Sequence, residues 1–334
     1  MRRLALLPAA ALVLAGCGGG SSTSKHSIVL YNGQHTELTN ALISAFQKQT
    51  GIAVKVRTND TVVLADQLLQ EGSASPADVY LAENSPELQE LAQHHLLAKL
   101  SSATLAQVPR AYSSPAGDWV GVALRVSSLV CDPALMPSSR PPKSILDLSQ
   151  PQWKGKIAIA PTDSDFPPVV SAVIAKDGEA AAEAWLNGLK HNAQTYQDEE
   201  SVVAAVNRGD VACGIINQYY WYRLRLELGA KSMHSKLFYF PPSDAGSVTN
   251  VSGAAVLASS GNKTDADRFV AFLVSPSAQR IIAGSDDFEY PARPGISPNA
   301  ALPPLKAITH STIPIGELGN DQQAAQMIQA AGLL

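Results

Sequence analysis

From residue 27 onward the chain keeps switching between two hydrophobic periods, and this alternation is its strongest constraint on fold. Ser27-Ile28-Val29-Leu30-Tyr31 is a short β-like run. From Thr36 to Thr50 the apolar residues Leu38, Leu42, Ile43 and Phe46 mark a helical stripe, which Gly51 closes. Ile52 to Val56 reads as a strand, Thr61 to Gln70 as a helix, Ala77 to Leu81 as a strand, and Ser85 to His94 as a helix opened by Ser85-Pro86. This order predicts a parallel sheet with helices on its faces. Trp119 to Cys131 is then a single β-like stretch, longer than a typical strand.

A second α/β series follows. Strands are predicted over Lys156 to Ala160, Val211 to Ile216 and Val251 to Leu257. Helices are predicted over Pro167 to Lys176, Glu179 to Leu189, Ser201 to Arg208, Trp221 to Leu228, Asp265 to Leu273, Pro276 to Ile282 and Gln322 to Ala331. Two α/β halves joined by long extended segments predict a bilobal clamshell. Its ligand would sit in the cleft, on loops beyond the carboxyl ends of the strands.

The first residues read as an export signal. Arg2 and Arg3 precede a short apolar run from Leu4 to Leu14, too short to span a bilayer as a helix. Leu14-Ala15-Gly16-Cys17 has the pattern of a lipobox, which predicts cleavage after residue 16 and acylation of Cys17. Gly18-Gly19-Gly20-Ser21-Ser22-Thr23-Ser24 has the composition of a flexible tether. The expected location is the extracytoplasmic face of the cell membrane or the periplasm, with the lipid as the only membrane contact. A net charge of −4 leaves no basic excess to neutralise phosphates, which argues against nucleic acid. Cys131 and Cys213 both lie in apolar strand-like runs. An oxidising compartment permits a disulfide between them, and two buried thiols are the alternative.

Four polar residues stand just past predicted strands: His35, Glu83, Tyr219 and Tyr220. Adjacent phenols line a core poorly, because each buried hydroxyl needs a partner. They suit a hard, highly charged cation, which can force both to ionise. One carboxylate and two tyrosinates carry three negative charges, matching a trivalent ion. Oxygen donors with one imidazole disfavour copper(I) and structural zinc, and phenolates are not typical of calcium or magnesium sites. Ferric ion fits this set best. Taken singly, His35 reads equally as a helix-capping residue and Glu83 as a solvated one, and spacing alone does not decide between the readings. The tyrosines can converge only if the strand ends before them, with the helix running from Trp221.

With these residues in view, the chain resembles the ferric-iron-binding proteins of bacterial ABC importers, within the type II periplasmic-binding-protein fold. The likeness covers nearly the whole mature chain. It is carried by Leu30-Tyr31-Asn32-Gly33-Gln34-His35, Pro76-Ala77-Asp78-Val79-Tyr80, Gly121-Val122-Ala123-Leu124-Arg125, Trp153-Lys154-Gly155-Lys156-Ile157, Ile216-Asn217-Gln218-Tyr219-Tyr220-Trp221 and Ser252-Gly253-Ala254-Ala255-Val256-Leu257. The Lys-Gly-Lys and Ser-Gly-Ala-Ala-Val segments mark only the fold; the tyrosine pair with the histidine and glutamate is more specific.

The resemblance implies two α/β lobes joined by crossing extended hinge segments near Arg125 and Asn250. Residues 1–16 would be the signal and 17–26 the tether. Residues 27–124 with 250–299 would form one lobe, and 125–249 with 300–334 the other. It further implies Fe(III) held by His35, Glu83, Tyr219 and Tyr220, handover to an ABC permease, a monomer, and no catalysis.

In much of that family an exogenous anion, often phosphate, completes the coordination. Arg125, Asn217 and Ser164 are the expected anion contacts or supports. Here, however, Asp163 and Asp165 flank Ser164, and Glu200 stands where an asparagine is expected. Three carboxylates facing a phosphate disfavour it. Carbonate or an organic acid is expected instead, with amide donors from the helix near Pro167. The bland alternative for Asp163 and Asp165 is that they cap that helix.

Two other functions stay open. The same fold would serve a polyamine, thiamine or an oxyanion, cradled by aromatics such as Trp221 and Tyr222. An exported hydrolase is the remote alternative, but the chain has no Gly-x-Ser-x-Gly elbow, no His-Glu-x-x-His and no phosphate-binding glycine loop.

Overall fold

The structure is a computed structural model that describes residues 26–137, 140–308 and 318–334. The signal and tether, with Cys17, lie outside the described residues. Among those described, no helix is long and apolar enough to cross a membrane.

The first half is β1 (Ser27–Asn32), α1 (Thr36–Thr50), β2 (Ala53–Thr58), α2 (Thr61–Glu71), β3 (Val79–Ala82) and α3 (Ser85–Gln93), followed by a short α4 (Ser102–Leu105). Helix α1 has the bounds its apolar stripe predicts, and Gly51 ends it in the left-handed conformation. Strands β2 and β3 pair in parallel on either side of β1. Strand β4 (Val120–Cys131) is the long stretch seen in the sequence, buried at every position.

The second half contains β5 (Ile157–Ile159), α5 (Phe166–Asp177), α6 (Glu179–Asn192), β6 (Ala193–Thr195), α7 (Glu199–Arg208), β7 (Cys213–Asn217), α8 (Gln218–Leu228) and β8 (Lys236–Phe238). Strand β9 (Thr249–Val256), helices α9 (Lys263–Leu273) and α10 (Pro276–Gly284), and β10 (Tyr290–Pro291) return to the first half. Helices α11 (Leu305–Ile308) and α12 (Gln322–Ala330) close the described chain.

One sheet path runs β2-β1-β3-β9-β4-β7-β5-β6, with β10 and β8 also paired to β4. Strand β4 changes partners midway. Val120 to Val126 pair with β9, and Ser127 to Cys131 pair with β7. The apolar side chains gather in two clusters, one around Phe46, Trp119 and Phe269, the other around Phe166, Trp185 and Ile215. The partner change at Arg125–Ser127 is therefore where the two α/β halves meet. Cys131 and Cys213, opposite each other on β4 and β7, are joined by a disulfide.

Candidate metal centre

Each of the four residues singled out above reaches the meeting point of the two halves from a different connection. His35 ends the β1–α1 loop. That loop passes so close to Thr61 that a Cβ on Gly33 would lie 2.8 Å from it, so only glycine fits without a shift. The His35 N–H donates to Gln34 Oε1 at 2.7 Å, while its ring Nε2 is buried with no hydrogen-bond partner, 3.8 Å from Glu83 Oε1. Glu83 follows β3. Its N–H donates to Thr61 Oγ1, and its carbonyl accepts from Arg125 Nη2 at 2.6 Å.

Tyr219 and Tyr220 differ from the sequence expectation in one respect. Helix α8 begins at Gln218, not Trp221, so both phenols lie in its first turn. The start is pinned by Gln218, whose Oε1 accepts the Val126 N–H at 2.6 Å and whose Nε2 donates to the Phe288 carbonyl. Helical side chains lean toward the N-terminus, so the two rings project past the helix end together rather than diverging. Their centroids are 4.0 Å apart. The Tyr219 hydroxyl donates to Glu83 Oε1 at 3.2 Å, and its ring meets His35 edge-on at 5.1 Å. The Tyr220 hydroxyl points to Asp165 Oδ2 at 3.5 Å. The structure thus brings all four residues together. The positive end of the α8 dipole lies behind both phenols, where it favours their ionised form.

Among the described residues, no three histidine, cysteine or carboxylate side chains are grouped to hold a metal ion. The donor set here is instead one imidazole, one carboxylate and two phenols. Burial pushes both phenols well above their ordinary range, and each is raised further by nearby carboxylates. Burial also raises Glu83 to about 7, against the pull of Arg125 and with a push from Asp165. The two phenols therefore keep their protons on their own, and only a strongly polarising cation would displace them.

Arg125, 0% exposed, underlies the site. Nη1 donates to Glu289 Oε1 at 3.0 Å; Nη2 meets Asn84 Oδ1 at 2.7 Å and Asp165 Oδ1 at 3.2 Å. Glu83 Oε1 lies 3.7 Å away. Burial disfavours the guanidinium charge, but Asp165, Glu83 and Glu289 outweigh it and hold the group firmly ionised. Glu289, Asn84 and Gln34 are parts of the site that the sequence reading missed. Gln34 Nε2 bridges Ser252 and Glu289. The one local signal for Glu289 is an acid set between Phe288 and Tyr290.

The three carboxylates expected to face an anion separate. Asp165 does face Arg125. Asp163 turns away and accepts the N–H groups of Asp165 and Glu199, each at 3.0 Å. Glu200 points outward, with its carboxylate 3.6 Å from Arg223. Nor does Asp165 cap α5, since its side chain makes no cap bond. Helix α5 is also a poor amide cradle. Pro167 and Pro168 follow Phe166 in its first turn and have no N–H to offer, and the Phe166 N–H is already bonded to the Asp163 carbonyl. Ser164 lends its carbonyl and hydroxyl to Asn84 Nδ2 at 3.3 and 3.4 Å. The Asn217 N–H donates to Glu199 Oε2, and its Oδ1 accepts from Asn250.

Residues 74–309 match the family model described as bacterial extracellular solute-binding protein. The chain is 38% identical, over 98% of its own length and 96% of the relative's, to a protein of Serratia marcescens named Fe(3+)-binding periplasmic protein. Among solved structures, iron-bound HitA from Pseudomonas aeruginosa superposes with a TM-score of 0.87 at 40% identity, covering 92% of this chain and 99% of that one. A Trichodesmium protein (IdiA, FutA) in complex with iron and citrate superposes at 0.80 and 27% identity, covering 92% and 99%.

Proposed function

The chain belongs to the bacterial extracellular solute-binding proteins, and from that premise we propose that it captures Fe(III) between its two halves and delivers it to an ABC permease. One observation carries the reading: Tyr219 and His35 both converge on Glu83 Oε1, with the Tyr220 ring tilted against that of Tyr219. Glu83 and two tyrosinates would supply three negative charges to the trivalent ion, and His35 Nε2 an unspent lone pair. The iron is cargo: the protein binds it and hands it on without making or breaking a covalent bond.

Residues 27–124 with 250–299 are one lobe in this reading, and 125–249 with 300–334 the other. They close about the crossing of β4 and β9. Acylation at Cys17 keeps a monomer at the membrane, within reach of the permease. The anion that completes the coordination is carbonate or an organic acid rather than phosphate. Arg125 already meets Glu289, Asp165, Asn84 and the Glu83 carbonyl, so any entering anion competes with chain carboxylates, and bicarbonate or a single carboxylate group does so with less repulsion than a doubly charged phosphate.

Titrating the iron-free mature protein with a ferric chelate tests the proposal. A tyrosinate-to-iron band in the visible is expected, weakened or lost in Tyr219→Phe and in Tyr220→Phe. If the wild type stays colourless, the iron reading falls and another solute takes its place. Repeating the titration with added phosphate, bicarbonate or citrate tests the anion. Sharp tightening by phosphate alone would overturn that part.

A further inference from the structure

Behind the tyrosines, one face of the sheet carries four buried polar side chains at the partner change of β4. Arg125 and Ser127 are two residues apart on β4, so they share a face. Asn250 on β9 pairs directly with Arg125, and Asn217 on β7 pairs directly with Ser127, so both stand on that same face. The contact across β4 agrees, with Asn250 Nδ2 donating to Asn217 Oδ1 at 3.2 Å. All four residues are at most 3% exposed. Each keeps one polar atom without a partner among the described residues: Arg125 Nε, Ser127 Oγ, Asn217 Nδ2 and Asn250 Oδ1.

Buried donors and acceptors are almost always bonded to protein or to ordered water, so four atoms on one patch that no protein group meets call for a partner from outside the chain. The groups are complementary to one kind of occupant. Two of them are obligate donors, one is an acceptor, and the hydroxyl is either. In the metal-free protein no iron draws an anion to this patch, and Glu289, Asp165 and Glu83 already share the Arg125 charge. A second cation would face the guanidinium. A neutral molecule that both donates and accepts, and is small enough to lie between strands, is water. An internal water commonly makes about three hydrogen bonds to groups left unpaired by the protein.

We propose that Arg125, Ser127, Asn217 and Asn250 form a buried hydration site built into the crossing of the two halves, holding one or two long-lived waters. The waters tie β9, β4 and β7 together behind the site and fix the back edge of the guanidinium. Bonds to water can be exchanged one at a time as strands twist, whereas direct side-chain bonds between those strands would have to break together. The site thus lets the crossing segments rotate while staying satisfied. It requires no ion in the cleft and stands whatever solute the cleft takes.

The test is made on the metal-free mature protein. Oxygen-17 relaxation dispersion of the solvent should reveal at least one long-lived internal water. The Arg125 Nε–H resonance should show magnetisation transfer to it. Asn250→Leu and Ser127→Val should each abolish that transfer, while a surface change such as Lys263→Ala should leave it. If the wild type shows no transfer from Arg125 Nε–H to water, or both variants retain it, the hydration site is wrong. The wild-type measurement decides the matter even if either variant fails to fold.

Discussion

Arg125 is wholly buried, and its charge is matched by Glu289, Asp165 and Glu83, drawn from distant parts of the chain. Removing one member of a buried ion network costs about 3–5 kcal/mol, because the remaining charges lose their partner in a poor solvent. Arg125→Gln should therefore lower the stability of the metal-free protein by about that much, read from the urea midpoint at unchanged slope. A loss under about 1 kcal/mol would mean that water reaches the carboxylates and the network is not dry. At this scale the sequence was informative in a particular way. The convergence of His35, Glu83 and the tyrosine pair was legible because each follows an apolar strand run, and strand ends of an open sheet gather at one edge. Glu289 was not, because its role depends on a partner 164 residues away, and a lone acid carries no mark of that. Asp165 was legible as a charge near the site, but not as the partner of Arg125.

Among the elements, the periodic ones were readable and the pairing-dependent ones were not. Helix α1 and the long β4 follow their apolar patterns closely. Strands β6, β8 and β10 span three, three and two residues, too few to show a period, and exist because a neighbour offers them a ladder. The early start of α8 was missed because two aromatic residues weaken a helix signal, while the anchoring by Gln218 is tertiary. The disulfide was an open choice in the sequence, since thiols in apolar runs look alike whether joined or not. Cys131 and Cys213 turn out to face each other on β4 and β7, the strand that feeds the tyrosines, across an 82-residue separation. Closing so long a loop typically stabilises by about 2–4 kcal/mol. Replacing both cysteines by alanine should lower the melting temperature by roughly 3–6 °C. The ferric band should stay where it is, since neither sulfur touches the donors. An unchanged melting temperature would show that the bridge is not formed in the exported protein.

Across the whole molecule, the meeting of the two halves concentrates acid where solvent is scarce. Burial raises Glu83 to about 7 and, with Asp165 next in effect, Asp163 to about 8; it also raises Glu199 and Glu289, the latter against the pull of Arg125. In the unfolded chain such groups titrate near their ordinary values, about 4. Between those limits the folded state holds more protons than the unfolded one, so stability falls as pH rises. The metal-free protein should therefore melt higher at about pH 5 than at about pH 8, with the loss spread through the range in which these acids ionise. Iron reverses the slope. With Glu83, Tyr219 and Tyr220 as the proposed ligands, binding must expel their protons, so affinity grows as protons become scarcer. The rise in melting temperature on adding ferric citrate should accordingly be larger at about pH 8 than at about pH 5. Two melting series, with and without iron, check both signs at once. A metal-free curve that climbs with pH would mean that the carboxylates are solvated and the cleft stands open. A ferric increment that shrinks with pH would mean that the phenols do not ionise and the ion is held by other groups.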